Sequence, residues 1–386
     1  SDELESYETF PPNLELYNNS IRTDNSAVQS IWDRGYYFIY NANAILEGLS
    51  QSQGVSENIK AYLSGEALFI RAFWNFYLTN LFGEIPLITS TDYRKNTSVV
   101  RSQVDTIYAH VITDLESALE LCSQEYLDGT NNPSSEKVRP NKDAVAALLS
   151  RVHLYQGNYS MAFNISNSII ESGKYVLPNY NEAFLRNSQE AIWQLMPVNS
   201  SYSTLEGSQF IALYTPSFGI PKKFVEEFEN GDARKLNWIN VLTENDQNYY
   251  FPFKYKIKSI TPGDPFEEYS MVLRVAELYL IRAECRLFLN DLDGALEDLN
   301  LLRNRSLLAA LPSTLAKNEI ANAIEHERRS ELFLEWGHRW FDLKRLGKAS
   351  SVLSSLKPSW NPGDELLPIP QLEISNNPLL TQNDNY

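Results

Sequence analysis

Residues 57–82 read Glu57-Asn-Ile-Lys-Ala-Tyr-Leu-Ser-Gly-Glu66-Ala-Leu-Phe-Ile-Arg71-Ala-Phe-Trp74-Asn-Phe-Tyr-Leu-Thr-Asn-Leu-Phe82, and their period decides the fold. Leu63, Ala67, Ile70, Trp74, Leu78 and Leu81 recur at helical spacing, while Phe69, Phe73 and Phe76 make a second apolar face. A helix that is apolar on both sides belongs in the middle of a protein, between other helices. Gly83 and Pro86 then end it, glycine by closing the last turn and proline by refusing to continue it. The same spacing runs through 27–49, 102–121, 141–156, 158–172, 272–289, 291–305 and 317–346. The expected fold class is therefore all-α, mainly helical.

The helices repeat. Glu66-Ala-Leu-Phe-Ile-Arg-Ala72 and Glu277-Leu-Tyr-Leu-Ile-Arg-Ala283 share the frame Glu-x-x-x-Ile-Arg-Ala. Gly157-Asn-Tyr159-Ser-Met-Ala162-Phe163 and Asn290-Asp-Leu292-Asp-Gly-Ala295-Leu296 share a turn, a large residue, two spacers and a small alanine. That is the tetratricopeptide signature, in which the alanine lets antiparallel helices approach. The 34-residue consensus is not kept, so the repeats are degenerate. The expectation is a single domain, 1–386, with tetratricopeptide-like helix pairs forming a superhelical scaffold over 26–173 and 264–347. Between 174 and 263 the texture changes to β-like runs such as Ala191-Ile-Trp-Gln-Leu-Met196 and turn signals at Pro197, Pro216, Gly219-Ile-Pro221 and Pro262-Gly-Asp-Pro265. This predicts an irregular loop-rich lobe, with what little sheet there is confined to it or to the tail. The tail, 348–386, carries Pro358, Pro362, Pro368, Pro370 and Pro378 and is expected to run extended.

Lys+Arg total 33 against 49 Asp+Glu, a net charge of −16 that repels phosphate backbones and anionic leaflets, so nucleic acid is excluded as a partner. Cys122 and Cys285 fall in helical segments and read as small buried hydrophobes. No apolar run approaches the ~20 residues that span a bilayer. The opening Ser-Asp-Glu-Leu-Glu is not a signal peptide, and a soluble, processed or trimmed form is expected. His110, His153, His326 and His338 show no metal spacing, and no nucleophile elbow, phosphate loop or dinucleotide fingerprint occurs. The expectation is no catalysis, no metal and no cofactor. With 49 acidic residues some carboxylate pair exists in any fold, so such a pair carries no weight.

The most charged segment, 321–346, places Phe333, Trp336, Trp340 and Leu343 on one stripe, and Arg328, Glu331, Glu335, His338, Asp342 and Arg345 on the other. An acidic active site or cation cluster is one reading. The favoured one is an amphipathic helix with i,i+4 pairs such as Glu335–Arg339. Gly337 in its middle costs about 1 kcal/mol relative to alanine and suggests close backbone packing.

These segments carry a family resemblance. Arg71-Ala-Phe-Trp-Asn-Phe-Tyr-Leu-Thr-Asn-Leu-Phe-Gly-Glu-Ile-Pro-Leu87 resembles the SusD/RagB block RAxxYFxLxxxFGxxPL. Glu327-Arg-Arg-Ser-Glu-Leu-Phe-Leu-Glu-Trp336 through Arg339-Trp-Phe-Asp-Leu-Lys-Arg345 is similar to the late block ERRxELxxEGxRWFDLxR, with Trp336 where that block has glycine. Leu367-Pro-Ile-Pro-Gln-Leu-Glu-Ile374 and Asn377 through Tyr386 are similar to the closing PIPxxEIxxNPxLxQNxxY. The resemblance implies a non-catalytic, surface-exposed lipoprotein of the outer membrane that binds glycan and hands it to a SusC-like TonB-dependent transporter. It also implies a lipid-bearing N-terminal cysteine, which is missing from this sequence and is expected to have been removed with the leader, and the chain is shorter than many relatives.

The 22 Tyr, 18 Phe and 7 Trp exceed what a helical core needs, and aromatic rings on loops suit the apolar faces of sugars. The candidate glycan-binding residues are Tyr17, Arg22 and Asn25 ahead of the first long helix, and Tyr202, Tyr214, Trp238, Tyr249 and Tyr250 in the lobe. Trp238 leads, because Arg234, Lys235, Asn237 and Asn240 surround its indole in sequence. The rival reading from another class is a helical-repeat scaffold that binds peptide or protein.

Overall fold

The computed structural model describes residues 1–198 and 201–386. First come strand β1 (Glu5–Ser6), helices α1 (Pro11–Asn18), α2 (Ser26–Gln51) and α3 (Glu57–Phe82), strand β2 (Ile85–Pro86), the single turn α4 (Tyr93–Asn96), strand β3 (Arg101–Ser102) and helix α5 (Val104–Leu121). Next are α6 (Lys142–Tyr155), α7 (Tyr159–Glu171), β4 (Ala191–Leu195), α8 (Leu205–Phe210), β5 (Phe218–Gly219), α9 (Lys222–Glu227), α10 (Ala233–Trp238), the hairpin β6 (Ile239–Glu244) and β7 (Gln247–Pro252), and β8 (Ser270–Arg274). The chain closes with α11 (Val275–Phe288), α12 (Leu292–Arg305), α13 (Lys317–Leu332), α14 (His338–Arg345), α15 (Ala349–Leu353) and α16 (Gln371–Asn376).

Helix makes up about 51% of the chain, as the periodicity predicts. Among the described residues the strands pair in antiparallel twos: β1 with β5, β2 with β3, β4 with β8 and β6 with β7. Four of these strands, β1, β2, β3 and β8, lie outside the lobe to which sheet was expected to be confined. Strand β8 takes residues read as the start of a helix, because a short buried apolar run such as Met271-Val272-Leu273 has no period to distinguish the two.

Contacts divide the chain into two compact units. One comprises Thr9–Glu125, Pro140–Val152 and Leu343–Tyr386 and is called the α3 unit. The other, the α11 unit, comprises Ser1–Glu8, Tyr126–Arg139 and His153–Asp342.

In the α3 unit, α3 packs against α2 on one side and α5 on the other, the position its two apolar faces require. Phe69, Phe76, Leu78 and Phe82 are sealed from solvent. Gly65 permits the approach of the chain end of α5: a Cβ there would lie 2.8 Å from the Cys122 backbone nitrogen and Sγ. Arg71, from the repeated frame, forks onto Asp114 of α5 with two bonds of 2.7 Å and donates to Asn43 of α2 at 2.8 Å, tying the three helices together. The tail departs from the extended course expected of it. Pro362 opens a 3-10 turn and Pro370 precedes α16, helix-start positions where proline's missing N–H goes unused. Leu353, Leu367, Ile369 and Leu380 are buried, and Asn383 Nδ2 donates to the carbonyls of Phe82 (2.9 Å) and Leu367 (2.7 Å).

In the α11 unit, α11 is the buried centre, flanked by α7, α12 and α13. The two tetratricopeptide-like turns are alike in detail: Gly157 and Asn290 both take left-handed φ, 69° and 64°, and Ala162 and Ala295 are fully buried. Arg282, the second copy of the framed arginine, again forks onto an aspartate of the following helix, Asp298, its Nη2 2.6 Å from Oδ1. The predicted helix through 317–346 is broken. Residues 333–337 leave helical geometry, with φ of 54° at Leu334, 42° at Trp336 and 74° at Gly337. Phe333 turns inward and is fully buried, so the single stripe does not exist, and Gly337 sits in a left-handed turn that favours glycine. Arg339 pairs with Asp2 (2.8 Å), not with Glu335.

Residues 1–8 are held within this unit. Glu3 is buried, accepting the Leu334 N–H at 3.1 Å through Oε2 while Oε1 has no hydrogen-bond partner among the described residues. Burial pushes this carboxyl up to about 7. Between the usual carboxylate range and pH 7 the folded chain therefore holds a proton that the unfolded chain has released. The stability tied to Glu3 is full in acid and declines as pH rises towards 7, by about 3 kcal/mol at most. Melts of wild type and Glu3→Gln from pH 4.5 to 7.5 should diverge, with the variant lacking that decline; parallel curves would refute the assignment.

Candidate functional site

The structure disperses the predicted site residues. Trp238 is fully buried at the end of α10, edge-on to Tyr180 with centroids 4.6 Å apart, and its Nε1 donates to the Tyr180 carbonyl at 3.2 Å. It is a core residue, and a sugar cannot reach it. Of the polar companions that suggested a platform, Arg234 is also fully buried, bonded to Asp232 and to Glu327 at 2.8 Å, whereas Lys235 and Asn237 are half-buried and Asn240 is exposed. Asn25 is the N-cap of α2, its side chain accepting from the backbone of Ala27 and Val28, and is equally unavailable. Tyr249 is buried edge-on against Tyr7 at 5.1 Å. Tyr17 lies under the Lys357 ammonium, 3.3 Å from the ring centre. Arg22 pairs with Asp24 in the open. Tyr202 and Tyr250 are half-buried, whereas Tyr214 is 78% exposed. Tyr17, Arg22 and Asn25 belong to the α3 unit and the others to the α11 unit.

None of these residues lines the aromatic cleft of the α3 unit, about 330 Å³ in volume. Helix α2 supplies one wall because Trp32, Tyr36 and Tyr40 recur every fourth residue, which stacks them on one face at a rise of about 6 Å per step. Trp32 is the floor, 2% exposed and edge-on to Phe82 at 5.0 Å. The Tyr36 hydroxyl donates to the Pro86 carbonyl at 2.8 Å, fixing its ring. Tyr40 stands 50% exposed, and Tyr93 on α4 is 73% exposed. The turn bearing Tyr93 is pinned at both ends: Thr91 N–H donates to Glu47 Oε1 at 2.9 Å, and Asn96 Nδ2 to the Ser90 carbonyl at 2.8 Å.

The tail closes the cleft with Glu373, Asn376 and Asn377. Asn377 Nδ2 is committed to the Val99 carbonyl at 2.9 Å, while the exposed Asn376 amide and the hydroxyls of Tyr40 and Tyr93 have no hydrogen-bonding partner among the described residues. Burial, reinforced by the charge of Asp33, raises the Glu373 carboxyl, and hydrogen bonds from Gln29 and Trp32 oppose the shift. Exposed rings beside unpaired amide and phenol groups and the Glu373 carboxyl can stack on the C–H face of a pyranose and bond its hydroxyls. No lysine or arginine is among the described residues that line it. Sequence reasoning missed this site because Tyr36 and Tyr40 fall in a segment read as a packing helix. The signal was there in Tyr36-Tyr-Phe-Ile-Tyr40, more rings in one turn than one buried face can use.

The charged late segment forms no open acidic site. Arg274 Nη1 lies 2.6 Å from Glu190 and 2.7 Å from Glu331, and its Nε 2.9 Å from Glu335, all buried. Arg305 completes the set on Glu190 at 2.6 Å. Burial would raise Glu331, but the guanidiniums of Arg274, Arg305 and Arg234 override it and hold the carboxyl well below the usual range. Among the described residues no group of His, Cys, Asp and Glu has the arrangement of a metal site, and no helix is long and apolar enough to cross a membrane.

Residues 10–154 match a SusD-like family profile described as starch-binding and associating with the outer membrane, and residues 233–386 match the SusD family profile. The chain belongs to the SusD family. It is 26% identical over 427 aligned residues to a SusD-like protein of Formosa agariphila, covering 93% of this chain and 79% of that one. The fold agrees with a SusD superfamily protein of Bacteroides vulgatus at a TM-score of 0.87, with 21% identity and coverage of 100% and 91%. It also agrees with surface glycan-binding protein A of Bacteroides fluxus at 0.81, with 23% identity and coverage of 100% and 92%. Within this SusD chain the matched blocks are scaffold: the Arg71 fork, the Arg274 cluster and the tail segments against α3.

Proposed function

We propose that this SusD-family chain is a non-catalytic glycan-binding protein of the cell surface, held at the outer membrane by a lipid, that delivers oligosaccharide to a partner SusC-like TonB-dependent transporter. The observation that carries the binding is the cleft of Tyr40, Tyr93, Asn376 and Glu373, where exposed rings adjoin the unpaired Asn376 amide and tyrosine hydroxyls and the Glu373 carboxyl. Family membership and the structural likeness to a protein named for surface glycan binding support the same reading. The carboxylate and the absence of arginine and lysine from the described lining residues favour uncharged chains, since recognition of uronate or sulfate calls on arginine or lysine.

Tyr40→Ala and Tyr93→Ala test it. Both rings are exposed, so each variant should melt like wild type while losing roughly 1–3 kcal/mol of affinity for a neutral polysaccharide, the range of other aromatic stacking contacts. Retardation in gels containing neutral glucan or xylan, with a polyuronate as the charged control, reads this directly. If the double variant is retarded as strongly as wild type, the cleft is not the site.

A further inference from the structure

A second cavity, of about 270 Å³, lies wholly within the α11 unit. It forms where α8, the end of β7, β8 and the broken turn at 333–337 meet. Phe210, Tyr255 and Trp336 present rings to it, and Glu206 and Glu335 present carboxylates.

The polar groups divide into used and unused. Glu335 is taken by Arg274 and Lys254, and the Lys254 ammonium also donates to the Glu331 carbonyl at 2.9 Å and sits 4.1 Å from the Phe333 ring centre. Glu206 is different. Its Oε2 accepts from the Ser270 hydroxyl at 2.7 Å, and apart from its own backbone N–H the carboxyl has no other protein partner among the described residues, so it keeps acceptor capacity on Oε1. The Tyr255 hydroxyl accepts the Met271 N–H at 2.8 Å, which leaves its own proton without an acceptor among the described residues. One free acceptor and one free donor therefore adjoin the same small space. Two of the lining residues, Leu334 and Trp336, hold left-handed φ of 54° and 42°, conformations that cost a non-glycine residue roughly 1–2 kcal/mol. The Trp336 indole is anchored there by its Nε1 donating to the Met271 carbonyl at 2.6 Å. Strained backbone that holds a ring against a cavity with unsatisfied polar groups is the pattern of a preorganised binding pocket.

We propose that this cavity is a second binding site, sized for one uncharged sugar ring, with Trp336 as its platform, Glu206 Oε1 accepting one ring hydroxyl and the Tyr255 hydroxyl donating to another. Its volume is below that of a pocket for an extended chain, so it takes a single unit, a free monosaccharide or the end of a chain. Burial raises the Glu206 carboxyl; as a carboxylate its Oε1 accepts from a hydroxyl of a neutral polyol, whereas a uronate meets like charge there. The site is independent of the α3-unit cleft and does not rest on it.

The probes are glucose, galactose, mannose, xylose and N-acetylglucosamine, with glucuronate as the charged control, followed by saturation-transfer NMR and calorimetric titration on the full chain. At least one neutral sugar should bind and glucuronate should not. Glu206→Gln keeps the shape and the Ser270 bond but converts the free acceptor into a donor, so affinity should fall about tenfold or more with an unchanged Tm. Phe210→Trp, which adds bulk to the lining, should do the same and serves if Glu206→Gln folds poorly. Tyr93→Ala, in the cleft, should leave monosaccharide binding intact. No saturation transfer to any neutral sugar, binding that survives both pocket variants, or binding abolished by Tyr93→Ala would each overturn the proposal.

Discussion

Arg274→Ala is expected to destabilise the α11 unit by about 3–5 kcal/mol, the penalty for leaving buried charge unpaired. Arg274 is 2% exposed and bonds Glu190, Glu331 and Glu335 at once, with its Nη2 also donating to the Glu331 carbonyl at 2.8 Å. Removing it leaves Glu190 to Arg305, Glu335 to Lys254, and Glu331 to longer contacts of 3.4 and 3.5 Å with Arg305 and Arg234. Arg274→Lys restores a charge but not the planar fork and should recover only part of the loss. Urea unfolding of the three proteins decides it. A difference below about 1 kcal/mol between wild type and the alanine variant would mean the cluster behaves as an ordinary surface pair and is not the internal frame of the unit.

The Arg274 cluster shows where sequence reading reaches and where it stops. The helices were legible because their apolar positions keep a 3.6-residue period over many turns, and α3 announced its central place by having two such faces. The paired turns were legible as well, because Gly157 and Asn290 begin them and Ala162 and Ala295 close them. The break at 333–337 was not. Its cause is tertiary: Glu331 and Glu335 both reach Arg274, on a strand far away in sequence, while Phe333 enters the aromatic core. A local pattern of charges and rings cannot report that. The same limit hid the cleft, whose walls come from α2 and α4 and from the tail, which lies far from both in sequence. Prolines in the tail were legible as breaks, yet at Pro362 and Pro370 they begin turns of helix, because what proline does depends on which end of an element it occupies.

Trp238 carries the last expectation. Tyr180 and Phe184 meet its ring edge-on, with centroids 4.6 and 5.5 Å away, Phe333 lies at 6.3 Å, and the Lys254 ammonium sits 4.6 Å from its centre. Trp238→Ala empties the largest fully buried side chain of this core, strips the Tyr180 carbonyl of its indole donor and removes an aromatic face from a buried cation. The first effect alone is worth about 3–5 kcal/mol. Trp238→Phe keeps a ring in the same place and should lose less, the remainder being the hydrogen bond and the missing volume. Both variants, in the fraction that stays folded at low temperature, should bind neutral polysaccharide as wild type does, because the cleft lies in the α3 unit. Denaturant unfolding and affinity gels run on the same preparations separate the two roles. A Trp238→Ala protein that melts normally and fails to bind would return this indole to the surface and make it the sugar platform that its neighbours in sequence suggested.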